Sequence, residues 1–243
     1  MTNEDFYYLF SGDNRQVCDI ILHQPRVREL IKYDIDVDKL IQPFFAFIDL
    51  WDMDEEQKAR YRNLDLIFHD HVICEKENCG PNSMLKAMIN TLVYLCRNNN
   101  IEYDLEHGTI KINGEDKINR YNFDELQSFV LSIFYAKKPK PQKITDDKKQ
   151  RNKVLEMQKK MAAHRKKKEL QIPDIMKVVQ NGDGFIDHNK LLDFTYWQLM
   201  DRYSDILKVD AYRTHMDYKL SPKYELKDAD FKHWTEDIKI TAD

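Results

Sequence analysis

Apolar side chains recur at helix spacing through residues 191–213, LLDFTYWQLMDRYSDILKVDAYR, and the rest of the chain reads most simply around that stretch. Tyr196, Leu199, Met200, Tyr203, Ile206, Leu207 and Ala211 fall on one stripe of a 3.6-residue repeat. Arg202, Asp205 and Lys208 take the opposite face, and Trp197 lies in the first turn at the edge of the stripe. Thr195, with Gln198 three residues on, fits a capping box and predicts a helix start near Thr195. A stripe of this width packs on its own domain's core, which does not exclude a second role in binding.

Before that stretch the periods alternate. Residues 18–24, CDIILHQ, are a short β-branched run and read as a strand. Pro25 then suits the start of a helix whose apolar face is Val27, Leu30 and Ile31. Pro43 breaks the dense apolar segment KLIQPFFAFIDLW. LDLIF at residues 64–68 reads as a second strand. Ser83 can cap a core helix carrying Leu85, Met88, Ile89, Leu92, Val93 and Cys96. Asn113-Gly114 is the strongest hairpin signal in the chain. Asn122 with Glu125 predicts a further capped helix, with Phe123, Leu126, Phe129, Val130 and Ile133 on its apolar face. IPDIMKVVQ reads as a short helix, and Phe231, Trp234 and Ile238 at helix spacing predict a last one.

Charge divides the chain where periodicity does not. The net charge of the 243 residues is −4, yet residues 137–168 hold 14 Lys or Arg against three acids. That segment carries +11 and the remainder −15. KKPKPQKI marks its start; from residue 146 to residue 170 it lacks proline and glycine, and Val154, Met157 and Met161 give it only a thin apolar seam. The expected organisation is an α+β, mostly helical protein. Residues 1–136 form an N-terminal α+β domain with short strands and a β-hairpin. Residues 137–170 form a long basic helical connector, and residues 171–243 a small all-α C-terminal domain. With 33% charged residues and six glycines, a turn-rich sandwich is disfavoured. There is no apolar run of membrane-spanning length and no secretory signal pattern at the start. Four cysteines are too few for a disulfide scaffold, so a reducing cytoplasm is the expected setting.

Candidate chemistry is sparse. His69, His71, Cys74 and Cys79 give H-x-H-x₂-C-x₄-C, ligand types that zinc takes tetrahedrally. A zinc knuckle has two tight pairs separated by a loop, so the preferred reading is a surface His pair with two thiols and no metal. NGDGFIDHNK resembles a calcium loop only until Val179 and Lys190 fall at its first and last ligand positions. The cations of the connector, among them Lys148, Lys149, Arg151, Lys159, Lys160, Arg165, Lys166, Lys167 and Lys168, suffice for salt-sensitive phosphate contact. No aromatic side chain interleaves with them, so nothing there stacks on or reads a base. A charged helical spacer is the preferred reading, with nucleic acid as an alternative partner. There is no phosphate loop, nucleophile elbow, HExxH or GxGxxG; neither an enzyme nor a cofactor is expected.

Three stretches taken together carry a family likeness. They are ILHQPRVRELIKYD at residues 21–34, KINRYNFDELQSFVLSIFY at residues 117–135, and LLDFTYWQLMDRYSDI at residues 191–206, the last preceded by the Lys-rich connector. The strand-then-QPxxRE opening, the INR-x-NF-DE helix and the YQL-x-D-x-(F/Y) helix resemble tail morphogenesis proteins, notably tail assembly chaperones, from tailed phages of Gram-positive bacteria. Trp197-Gln198-Leu199 stands where that pattern has Tyr-Gln-Leu. The resemblance implies no catalytic or cofactor residues. It implies a soluble protein of the host cytoplasm during assembly that binds other tail proteins, such as the helical tape-measure protein, with self-association left open. Under it the partner surface is Trp197, Leu199, Met200, Tyr203 and Leu207. The alternatives are a structural part of the virion tail, in the baseplate or head–tail region, and a nucleic-acid-binding accessory protein using the connector.

Overall fold

The computed structural model describes residues 2–50, 54–77, 83–139, 170–182 and 186–220. The protein is α+β and mostly helical, with two small antiparallel sheets. Helix α1 (Asn3–Ser11) starts at a Thr2–Asp5 capping box and stops at Gly12, whose φ is 77°. A Cβ at position 12 would lie 3.1 Å from Gln198 Nε2 and 3.2 Å from Thr195 Cγ2. Glycine therefore serves both the left-handed turn and the close approach of α1 to a helix nearly two hundred residues away.

The single strand expected over residues 18–24 is instead a hairpin of β1 (Arg15–Val17) and β2 (Ile20–Leu22). Cys18 and Asp19 form its turn, both at positive φ (52° and 58°). Two residues in that conformation give the twist a two-residue hairpin needs. The run at residues 64–68 is likewise not a strand. It opens helix α5 (Asn63–Lys76), which follows α2 (Val27–Lys32), α3 (Val37–Ile41), two 3-10 turns (Gln42–Phe45 and Ile48–Leu50) and α4 (Glu55–Arg60). Leu64, Ile67 and His71 are buried on one face at i, i+3 and i+7, and the Asp65 carboxylate accepts the Arg62 backbone N–H at 2.7 Å. Five apolar residues fit either element, and the helical continuation through HDHV decides the outcome.

Helix α6 (Met84–Cys96) begins at Ser83, whose hydroxyl accepts the Lys86 N–H. The second sheet runs β3 (Ile101–Asp104), β4 (Thr109–Ile112), β5 (Glu115–Ile118) in order, with Asn113-Gly114 at the expected turn (φ 55° and 80°). Helix α7 (Phe123–Ile133) buries all five residues of its expected stripe. Its expected capping box is absent. The Asn122 side chain accepts from Asn119 N and donates to Lys117 O, tying the helix to the end of β5 instead. Helices α8 (Ile172–Gly182), α9 (His188–Asp193) and α10 (Tyr196–Leu220) complete the described structure.

Two apolar cores result, and they do not divide along the sequence. The larger is built from α1, the hairpin, α5, α6, the three-stranded sheet and α7, and includes Trp197 of α10. The smaller joins Val27 of α2 to Ile175, Met176, Val179, Leu191 and Leu199. A short seam of backbone bonds holds α2 against the α9–α10 junction. Val27 N donates to Phe194 O, and Tyr196 N to Pro25 O, each at 2.9 Å. The Arg26 guanidinium donates to Asp193 O at 2.9 Å, and Arg28 pairs with the Asp193 carboxylate at 2.8 Å.

Candidate partner-binding site

The capping box at the start of α10 forms as the sequence implies. Gln198 N donates to Thr195 Oγ1 at 3.2 Å, and Thr195 N donates to Gln198 Oε1 at 2.9 Å. The same Gln198 amide then donates to Phe10 O at 2.7 Å, so one side chain starts α10 and closes the last turn of α1.

Trp197 and Leu199 are two residues apart and project to opposite sides of the helix. Trp197 is 4% exposed in the larger core, where Phe6 meets it edge-on at 5.8 Å and Tyr135 at 6.2 Å. Leu199 is fully buried in the smaller core. The first turn of α10 is thus a wedge between two cores. Of the expected partner surface, Trp197 and Leu199 therefore contact the protein's own interior. Met200 and Tyr203 are half-buried against the smaller core, and Leu207 alone of the five is exposed, at 47%.

Past that wedge α10 continues alongside α8, and a groove of about 390 Å³ opens between them. Val178 and Gly182 of α8 form one wall, and Arg202, Ile206, Val209 and Arg213 of α10 the other. On α10 these fall at steps of four, three and four residues, one continuous face. Leu207, Asp205 and Asp210 also line the groove. The groove has an apolar floor and a rim of mixed charge. Its volume is within the range of about 300–1,000 Å³ usual for occupied clefts. Val178 and Gly182 were not singled out in the sequence, although their spacing of four on IPDIMKVVQNG was a usable signal.

Gly182 lets α8 approach α10 closely. A Cβ there would come within 2.8 Å of both Ile206 Cδ1 and Cγ2. Ile206 is β-branched and cannot swing both carbons away by one rotation, so the helices must separate. Gly182→Ala is expected to destabilise the fold by about 1–3 kcal/mol, read as a lower urea midpoint at unchanged slope.

Electrostatics on α10 follow from depth. Half-burial and the neighbouring Asp205 carboxylate push the Asp201 carboxyl above its ordinary range. Asp205 itself pairs with Lys208 at 3.0 Å. Burial raises the Tyr196 phenol to about 12 and keeps it neutral.

The His/Cys motif falls on α5 and beyond it. His69 is exposed and His71 is 1% exposed, two residues apart on a helix and so directed to different sides. His71 is thus not part of a surface pair. Its Nδ1 meets Ser83 Oγ at 2.9 Å beneath Tyr103, a contact that fastens α5 to the start of α6. Cys79 lies outside the described residues. Among the described residues no three His, Cys, Asp or Glu side chains gather as metal ligands. The nine named cations of the connector also lie outside them. Burial raises both the Cys18 and Cys96 thiols to about 11, which suppresses thiolate chemistry at either. No helix among the described residues is long and apolar enough to cross a membrane.

Residues 164–239 match the family model described as the YomV second domain, and this points to a phage-associated protein family. The match takes in both walls of the groove. No curated protein and no solved structure matches the chain.

Proposed function

We propose that the protein is a phage tail morphogenesis factor that acts by binding rather than catalysis, as an assembly chaperone for an apolar helical partner such as the tape-measure protein. The observation that carries this reading is the groove between α8 and α10, which lies within the segment matching a phage-associated domain. A helix laid along α10 would insert two or three apolar anchors over Ile206 and Val209, with Leu207 as flanking contact. The Arg202, Asp205, Asp210 and Arg213 rim would fix its direction, because charges at a rim select register and partner more than they add affinity. The wedge formed by Trp197 and Leu199 holds the groove rigidly on the body of the protein, so little ordering is needed on binding.

Leu207→Asp is the cleanest test. Leu207 is exposed, so the fold should hold to within about 0.5 kcal/mol, while capture of the tape-measure protein from infected-cell lysate should fall at least about tenfold. Undiminished capture by the variant would remove the groove from the interaction. Mass spectrometry of purified particles separates the chaperone from a structural role. A chaperone is absent from mature particles, whereas a baseplate or head–tail part is present at a fixed ratio to the major tail protein.

A further inference from the structure

The smaller core is completed by a side chain from the other end of the sequence. Ile175, Met176, Val179, Leu191 and Leu199 come from α8, α9 and α10 and form a pocket, and the fully buried Val27 fills it. The family match begins at residue 164, so it contains the pocket and not the side chain that occupies it. Residues 25–28 enter as an added strand meets a sheet edge. Arg26 is extended, with φ −88° and ψ 146°, and forms an antiparallel bridge with Thr195. Two backbone bonds flank the bridge, from Val27 N to Phe194 O and from Tyr196 N to Pro25 O. Main-chain bonds of this kind hold an extended segment of any sequence, and a pocket for one side chain supplies the choice. Asp193 sharpens that choice, since its carbonyl accepts from the Arg26 guanidinium and its carboxylate pairs with Arg28. Pro25 is tolerated because the bridge uses only its carbonyl, and proline has no N–H to leave unpaired.

We propose that α8, α9 and α10 form a receptor for short extended segments in which a β-branched aliphatic residue stands between two basic ones after a proline, that residues 25–28 hold this site closed in cis, and that its occupant in trans is a separate protein exposing such a segment. The site is at the start of α10 and does not depend on the groove farther along that helix. The tethered segment competes at an effective concentration on the order of millimolar, so the free protein keeps the pocket filled. A partner opens it by adding contacts of its own. Its arrival frees residues 25–28 and with them the backbone seam between α2 and the α9–α10 junction, which couples recognition to the attachment of α8–α10.

The probe is a synthetic peptide of residues 22–31, LHQPRVRELI, labelled with a fluorophore and titrated into the full-length protein by anisotropy. Its apparent affinity is reduced by the fraction of sites that residues 25–28 keep closed. Val27→Ala weakens the internal occupant and is expected to tighten peptide binding about tenfold over wild type. Arg28→Asp alters only an exposed ion pair, so it should keep the fold and tighten binding several-fold. A peptide carrying Val27→Asp should bind neither variant, and Asp193→Arg should prefer a peptide carrying Arg28→Asp to the original. In the Arg28→Asp protein, saturating peptide should speed hydrogen exchange at the Val27 amide about tenfold. The Tyr196 amide should stay protected, because the incoming proline carbonyl replaces that of Pro25. No tightening in Arg28→Asp, with its circular dichroism unchanged, overturns the proposal, as does equal binding of the Val27→Asp peptide. Wild-type dimers that the peptide dissociates in sedimentation equilibrium also overturn it, by making a second copy the occupant. Leu207→Asp should leave all these readouts unchanged, so this site and the groove stand or fail separately.

Discussion

Trp197→Ala is expected to cost about 3–5 kcal/mol, the range for removing a large aromatic side chain from a packed interior. The indole sits in the larger core. It is 4% exposed, with Phe6 edge-on at an interplanar angle of 85° and Tyr135 edge-on at 60°. Such edge contacts add to the area term, because the positive ring edge meets a negative face. Trp197 is also the fully enclosed residue of α10 in the larger core, with Tyr196 packed partly buried beside it, while Leu199 belongs to the smaller one. Removing the indole therefore loosens the attachment of α8–α10 and not only the larger core. Urea unfolding followed by far-ultraviolet circular dichroism should show a lower midpoint and a broadened or split transition, as the two cores lose their coupling. A variant that unfolds in one sharp transition within about 1 kcal/mol of wild type would show that the wedge does not join the cores.

What could be read in the sequence, and what could not, follows the range of the interactions involved. The start of α10 was legible because Thr195 and Gln198 complete each other's hydrogen bonds within four residues. The β4–β5 turn was legible because Asn113-Gly114 needs no distant partner to adopt positive φ. The apolar stripe of α7 was legible for the same local reason, but its cap was not. Asn122 has two competing uses, and its bonds to Asn119 and Lys117 at the end of β5 win over the box with Glu125. Residues 64–68 defeated the reading because a five-residue apolar run has no period of its own.

The candidate site was legible only as a stripe. Spacing places Trp197, Leu199, Met200, Tyr203 and Leu207 near one another, but it cannot say that two cores flank the helix and cover the first two. That requires α1, α7 and α2 to be brought beside α10. The contacts that do so, Gln198 to Phe10 O and Arg28 to Asp193, span 188 and 165 residues. The QPxxRE motif gains its meaning at the same place. The Gln24 amide donates to Tyr8 O and Asp13 O, Pro25 O accepts from Tyr196, Arg28 pairs with Asp193 and Glu29 with Arg97. In a linear reading it opened a helix; in the fold it is the seam that seats the phage-like segment on the rest of the protein.

Asp5→Ala is the second large effect expected, at about 3–5 kcal/mol for breaking a buried ion pair from one side. Arg15 and Asp5 are in contact, with side chains only 10% and 13% exposed, and the Arg15 guanidinium also lies 4.8 Å from the Phe129 ring centroid. Glu125 is the other carboxylate near Arg15, at 3.7 Å and largely in solvent. Removing Asp5 would leave the guanidinium beneath α1 with only that distant partner, and a buried cation without its counter-ion is costly. The same substitution deletes half of the cap on α1, since the Asp5 carboxylate accepts the Thr2 N–H at 2.6 Å. Arg15→Met is the control. It keeps the length and apolar stem of the side chain while removing the charge that needs Asp5, so Asp5→Ala on that background should cost far less than on wild type. A double-mutant cycle in urea measures the difference, with a coupling of about 1 kcal/mol or more expected between residues in direct contact. Additive losses would show that the Arg15–Asp5 pair does not help to hold α1. Because α1 ends at the carbonyl that Gln198 binds, the loss should reach α10 as well. Exchange of the Gln198 and Leu199 amides in Asp5→Ala should rise with that of α1, linking a pair at one end of the chain to the position of the groove at the other.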